Sequence, residues 1–217
     1  MLTVHAAEVL WAGPGHELVR GGAVVVEGAR IAFAGPYEKA VAECPRARVR
    51  RWPGLLTPGL VNREAGWLLE AVYHPDPREA EALGTEPVMN AALAAARPGE
   101  SARRGVQRML AHGTTAVVGP FEVPEVRAAV ERAGLVVAAA APSGVRSAAP
   151  LDPLAGGAPA GWAWDGAFTA AAVPGGRADL AVFNVRTDGD PLAALAEAGA
   201  GTCVATVLGG RLVHRRR

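Results

Sequence analysis

The segment Leu55-Leu56-Thr57-Pro58-Gly59-Leu60-Val61-Asn62-Arg63-Glu64-Ala65-Gly66-Trp67-Leu68-Leu69-Glu70 separates two kinds of chain. Before it lie strands and a hairpin. Residues 2–12 are rich in strand formers with partial alternation, and Gly22 to Pro36 carries two apolar runs around Glu27-Gly28. Glycine supplies the positive φ of a tight turn, so this run reads as a hairpin. Tyr37 to Glu43 reads as a short helix and Val49 to Trp52 as the strand that follows.

After the segment, helices and buried strands alternate. Trp67 to Tyr73 is apolar and expected to be buried, and His74-Pro75-Asp76-Pro77 interrupts it. Thr85-Glu86-Pro87 reads as a helix start, with proline in the first turn, and Val88 to Ala96 as that helix. A second helix follows Gly99-Glu100. Its Ala102, Val106, Met109 and Leu110 share one face, while Arg103, Arg104, Gln107 and Arg108 stay outside. His112-Gly113 then opens onto a buried-type strand, Thr114 to Gly119. Pro124-Glu125 starts a third helix with Val126, Ala129, Val130 and Ala133 on one face, closed by Gly134 before a strand over Leu135 to Ala141. Such alternation implies parallel pairing with right-handed crossovers.

Pro142 to Gly161 is rich in Pro, Gly, Ala and Ser and reads as a linker or surface loop. Trp162, Trp164 and Phe168 beyond it are expected to cover apolar surface. The chain then returns to strands. Pro174 to Asn184 is a turn and strand, Asp190-Pro191 caps a helix over Leu192 to Ala198, and Val204 to His214 is a hairpin around Gly209-Gly210.

Half of the 217 residues are hydrophobic and a fifth are charged, a globular composition. The net charge of +1 gives no electrostatic reason to expect nucleic acid or an acidic membrane as partner. Arg215-Arg216-Arg217 reads as a solvated tail. Cys44 and Cys203 are the two cysteines, without metal-knuckle or disulfide spacing, and read as semi-buried thiols of a reducing compartment. No basic segment leads into a long apolar run and no stretch approaches a membrane span, so the expected location is cytoplasmic.

The motifs in this order resemble the amidohydrolase superfamily, in the branch of imidazolonepropionase, cytosine deaminase and the adenosine-type and aminofutalosine-type deaminases. The resemblance rests on the opening strand and hairpin, Leu56 to Asn62, Leu110 to Ala116, Pro174 to Asn184, and the closing hairpin. It covers about residues 1–66, 100–141 and 174–217. In that family a Leu-x-Pro-Gly-x-Val-Asn strand runs into a His-x-His pair that holds the catalytic metal. Aligning on Pro58, Gly59, Val61 and Asn62 puts Glu64 and Gly66 at those two positions. Glycine coordinates nothing, and one carboxylate replaces two imidazoles poorly at a zinc or iron site.

The family's barrel takes about 250 residues. The resemblance therefore implies an α/β protein with a β-sandwich: a composite sandwich domain from residues 1–56 and 170–217, a truncated βα-barrel remnant of about three strands over 57–141, and a linker over 142–169. It further implies a catalytically silent protein with no metal and no cofactor. Its open barrel face would be covered by a protein partner, either a second copy or an intact amidohydrolase or deaminase.

Two alternatives stand beside this reading. One is a small hydrolase or deaminase acting on C–N bonds through Glu64, which the family's register would set at the catalytic end of the barrel; the bland reading of Glu64 is a carboxylate solvated or paired beside Arg63. The other is a small-molecule binding module with a closed apolar pocket near Trp67 and Trp164. His5 and His214 belong to the terminal strands, His16 to a Gly-Pro loop and His112 to a helix C-terminus. His74, in its Pro-rich loop, is expected to be exposed. Asp179 and Asp190 read as turn and cap residues.

Overall fold

The computed structural model describes residues 2–138, 151–155 and 167–216. It is a mixed α/β structure built around a large sheet. In chain order come β1 (Leu2–Trp11), β2 (Leu18–Arg20), β3 (Gly22–Glu27), β4 (Arg30–Pro36), α1 (Tyr37–Glu43), β5 (Arg48–Pro58), β6 (Leu60–Asn62), α2 (Ala65–Glu70), α3 (Ala80–Leu83) and α4 (Ala91–Ala96). Then follow α5 (Pro98–Leu110), β7 (Thr114–Val118), α6 (Pro124–Ala133), β8 (Val136–Ala138), β9 (Leu180–Phe183), α7 (Pro191–Ala198), β10 (Cys203–Leu208) and β11 (Arg211–Arg215). Short 3-10 turns cover Pro77–Glu79 and Ala200–Thr202.

Among the described residues eight strands form one sheet in the order β11-β10-β9-β5-β1-β3-β4, with β2 also on β1. Both ends of the chain contribute to it. The β1–β5 pair is parallel and the other pairs are antiparallel. This one hydrogen-bonded sheet curls over its own core: Val24, Val26 and Ile31 from one end share a buried cluster with Ala205 and Val207 from the other. The Ile31 amide donates to Gly176 O and the Gly210 amide to Ala178 O, fastening the turns where the two ends meet.

A second, parallel sheet has the order β6-β7-β8. The chain passes between sheets at Pro58-Gly59, so Leu55–Pro58 pairs with β9 in the large sheet and only Leu60–Asn62 lies in the parallel one. Gly59 is required there by close approach, because any Cβ would overlap the Thr115 side chain. Its amide donates to Asp179 O at 2.9 Å and its carbonyl accepts from the Thr169 amide at 2.8 Å.

Helices α2, α5 and α6 cover one face of the parallel sheet. Leu68, Leu69, Val72, Ala102, Val106, Met109, Val117, Val126 and Val130 form that core, joined from the large sheet by Leu208. The apolar face read from the sequence of α5 is the buried one, extended by Ser101 and Gly105. Gly134 ends α6 in the left-handed region at φ 78°. On the other face Val61, Ala116 and Val118 are 8%, 1% and 1% exposed, so these inward positions are withdrawn from water within the one chain. Val137 of β8 is 53% exposed. It lies beside Val117 in register, on the side where α5 and α6 cover β7.

Strand β8 ends at Ala138 in the described part, so the expected strand residues 139–141 lie outside it, as do Trp162, Trp164 and most of the expected linker. Phe168 is buried and packs edge-on against Trp11 with centroids 5.0 Å apart, covering apolar surface as expected. Among the described residues no helix is long and apolar enough to cross a membrane.

Candidate functional site

The parallel strands end side by side, β6 at Asn62 and β7 at Val118, and a cleft of 370 Å³ opens beyond both ends. Clefts at the carboxyl ends of parallel strands are the usual ligand sites of α/β folds, because the loops there can vary without disturbing the sheet. Arg63, Glu64, Trp67, Glu70, Pro120 and Glu122 are among its lining residues. Glu64 is half-buried at the N-terminus of α2, and its backbone amide donates to Asn62 Oδ1 at 3.0 Å. The buried Asn62 thus turns the chain from strand into helix.

Two further carboxylates at this cleft were not singled out from sequence. Glu70 uses Oε1 to accept the Val123 amide at 2.9 Å, tying α2 to the loop before α6. Glu122 lies four residues beyond β7, much as Glu64 lies two beyond β6; that parallel was the available signal. Gly66 faces the same loop. A Cβ there would come 3.3 Å from Pro120 O, tighter than ordinary contact, so an imidazole at this position would need the loop to move.

A metal held as in the resembled family does not fit these residues. Glu64 offers one carboxylate and Gly66 none, and among the described residues no three His, Cys, Asp or Glu side chains converge to hold an ion.

The histidines fall elsewhere. His5 is buried in β1, where Trp52 Nε1 donates to its Nδ1 at 3.2 Å. Burial, helped by the Arg50 charge, lowers its pKa to about 4. His16 is exposed and lies 3.1 Å from Pro14 O. His112 Nδ1 lies 2.8 Å from Arg108 O, a helix-end role as expected. His214, on β11, is half-buried, and burial lowers its pKa, with the charges of Arg216 and His112 adding.

His74 corrects the expectation of exposure: it is 0% exposed. Its Nε2–H donates to Leu68 O at 3.0 Å, its amide donates to Ser101 Oγ at 3.0 Å, and its carbonyl accepts from Arg104 Nε at 2.6 Å. Gly105 makes the room, since a Cβ there would stand 2.7 Å from His74 Nε2. Nδ1 is buried without a partner among the described residues. Burial lowers this pKa to about 4, against the opposing Leu68 hydrogen bond.

A second cleft, of 540 Å³, lies beside Trp67. Leu68, Val72 and Met89 line it together with Glu86, Arg108 and His112, so it is mixed in polarity; Trp164, the other residue named for the expected apolar pocket, lies outside the described residues. Asp179 and Asp190 keep their expected roles: Asp179 accepts the Gly209 amide at 2.7 Å in a turn, and Asp190 caps α7 through the Leu192 and Ala193 amides. The basic end is partly structured rather than a solvated tail. Arg215 belongs to β11 and lies 5.6 Å from the Trp52 ring centre, Arg216 donates to Gly201 O at 2.8 Å, and Arg217 lies outside the described residues.

No family model and no curated protein matches this sequence. Solved structures similar to it include A. niger ochratoxinase, at 24% identity over 63% of this chain and 30% of that one, with a TM-score of 0.42. Helicobacter pylori aminofutalosine deaminase is similar at 16% identity over 60% of this chain and 31% of that one, TM-score 0.41. E. coli guanine deaminase is similar at 17% identity over 62% and 34%, TM-score 0.42. The chain thus spans 30% to 34% of the length of these proteins.

Proposed function

We propose that this chain is an amidohydrolase-like protein that is catalytically silent and works by association, either as a homodimer or as an accessory subunit of an intact amidohydrolase or deaminase. The observation that carries the reading is at the end of β6. The two positions that the resembled motif gives to metal-binding imidazoles hold Glu64 and Gly66, and the second is backed by Pro120 O at 3.3 Å from any Cβ. In this reading the curled sheet from both chain ends is the family's composite sandwich, and β6, β7 and β8 are three remaining staves of its barrel. The contact surface would be the β8 edge, where Val137 is 53% exposed.

Sedimentation velocity on the purified chain, with a pull-down from native lysate, tests this. A dimer dissociated by Val137→Asp, or capture of an amidohydrolase that this variant fails to capture, is the expected result. A monomer at every concentration that captures neither would contradict it.

One observation favours a second reading, a hydrolase of C–N bonds acting through Glu64: three glutamates, Glu64, Glu70 and Glu122, line the cleft at the strand ends. Turnover lost in Glu64→Gln with folding intact would favour that enzyme over the silent subunit.

A further inference from the structure

We propose that a third cleft, remote from Glu64, binds a small ligand carrying two or more phosphoryl groups. It has a volume of 590 Å³ and lies between the β3–β4 turn, the C-terminal end of α6 and the β10–β11 turn. Four arginines line it from four separate parts of the chain: Arg30, Arg132, Arg177 and Arg211. Among the described residues no carboxylate lines it. The nearby Asp179 is 5% exposed and already engaged, by Arg177 Nε at 3.1 Å and by the Gly209 amide at 2.7 Å.

Arg30, Arg132 and Arg211 form no ion pair among the described residues. Glu27 stands opposite Arg30 across the β3–β4 turn without pairing to it. The chain has a single lysine, Lys39, so arginine is simply its usual cation. What points to a ligand is the convergence of four on one concavity in a chain of net charge +1.

Two of the four are oriented in advance. Arg30 Nη1 donates to Gly175 O at 2.8 Å and Arg177 Nη2 to Gly134 O at 2.7 Å. Each guanidinium has five N–H donors, so each anchored one keeps donors for a ligand. A planar fork matches the spacing of phosphoryl oxygens, and like charges around a concave wall focus the field on an anion. The cleft's size is that of a small-molecule site. A nucleic acid would need basic surface extending well beyond it, which the near-neutral chain does not supply.

Titration calorimetry at low ionic strength, with inorganic triphosphate as the probe, tests the site on the whole chain. Expected are one site per chain, binding of triphosphate at least about tenfold tighter than of monophosphate, and a loss of at least about tenfold in Arg30→Ala/Arg211→Ala. Both substituted residues are exposed, and a thermal melt checks that the variant is folded. The variant Arg48→Ala/Arg50→Ala removes the same charge outside this cleft and should bind as the parent does. Absence of triphosphate binding, an equal loss in that control, or citrate binding as tightly as triphosphate would each overturn the proposal.

Discussion

Gly66 stands against Pro120, so that a Cβ on Gly66 would lie 3.3 Å from the Pro120 carbonyl oxygen. An imidazole here, where the resembled motif would put one, would press on the Pro120 loop. Gly66→His should destabilise the protein by about 1–3 kcal/mol, because the Pro120 loop must give way. Urea denaturation measures this. An unchanged midpoint would mean that the loop yields freely and that the cleft can accept an imidazole.

Gly59 is where the chain leaves one sheet for the other, with the Thr115 side chain pressed against it. Gly59→Ala is expected to cost about 1–3 kcal/mol by overpacking, and more if the two sheets must separate. A melting temperature equal to that of the parent would show that the junction is looser than these contacts imply.

His5 and His74 make folding sensitive to acid. Each has a folded pKa of about 4 against an ordinary value of 6.5. The unfolded chain therefore binds protons first as pH falls. Stability is full above about pH 6.5, declines as pH falls, and stops declining through these groups below about pH 4. Each group contributes up to about 3 kcal/mol across that window. Unfolding free energies measured from pH 7.5 to 4.5 should slope downward toward acid, and His74→Gln should flatten the slope. A slope unaltered by that variant would remove His74 from the account.

Much of the fold was legible because local signals and tertiary packing agree. The periodicity of α5 named its buried face, Pro124 and Gly134 bounded α6, and Tyr37–Glu43 is a helix over the residues read from the sequence. What escaped depends on contacts distant in sequence. The burial of His74 follows from a glycine 31 positions later in α5, visible only as a gap on an otherwise filled apolar face. The division of Leu55 to Asn62 between two sheets follows from pairing with β9, more than a hundred residues away. Glu64 was legible as the residue leaving a parallel strand. Glu70, Glu122 and the four-arginine cleft were not, because separate turns and helix ends bring them together.

In the proposed reading the β6 strand end does not hold the resembled family's metal. Elemental analysis of the purified chain, after growth in medium supplemented with zinc and iron, tests it most directly. Far less than one equivalent of either metal is expected, unaffected by Glu64→Gln. One tightly held equivalent of zinc or iron per chain, released by that substitution, would contradict it.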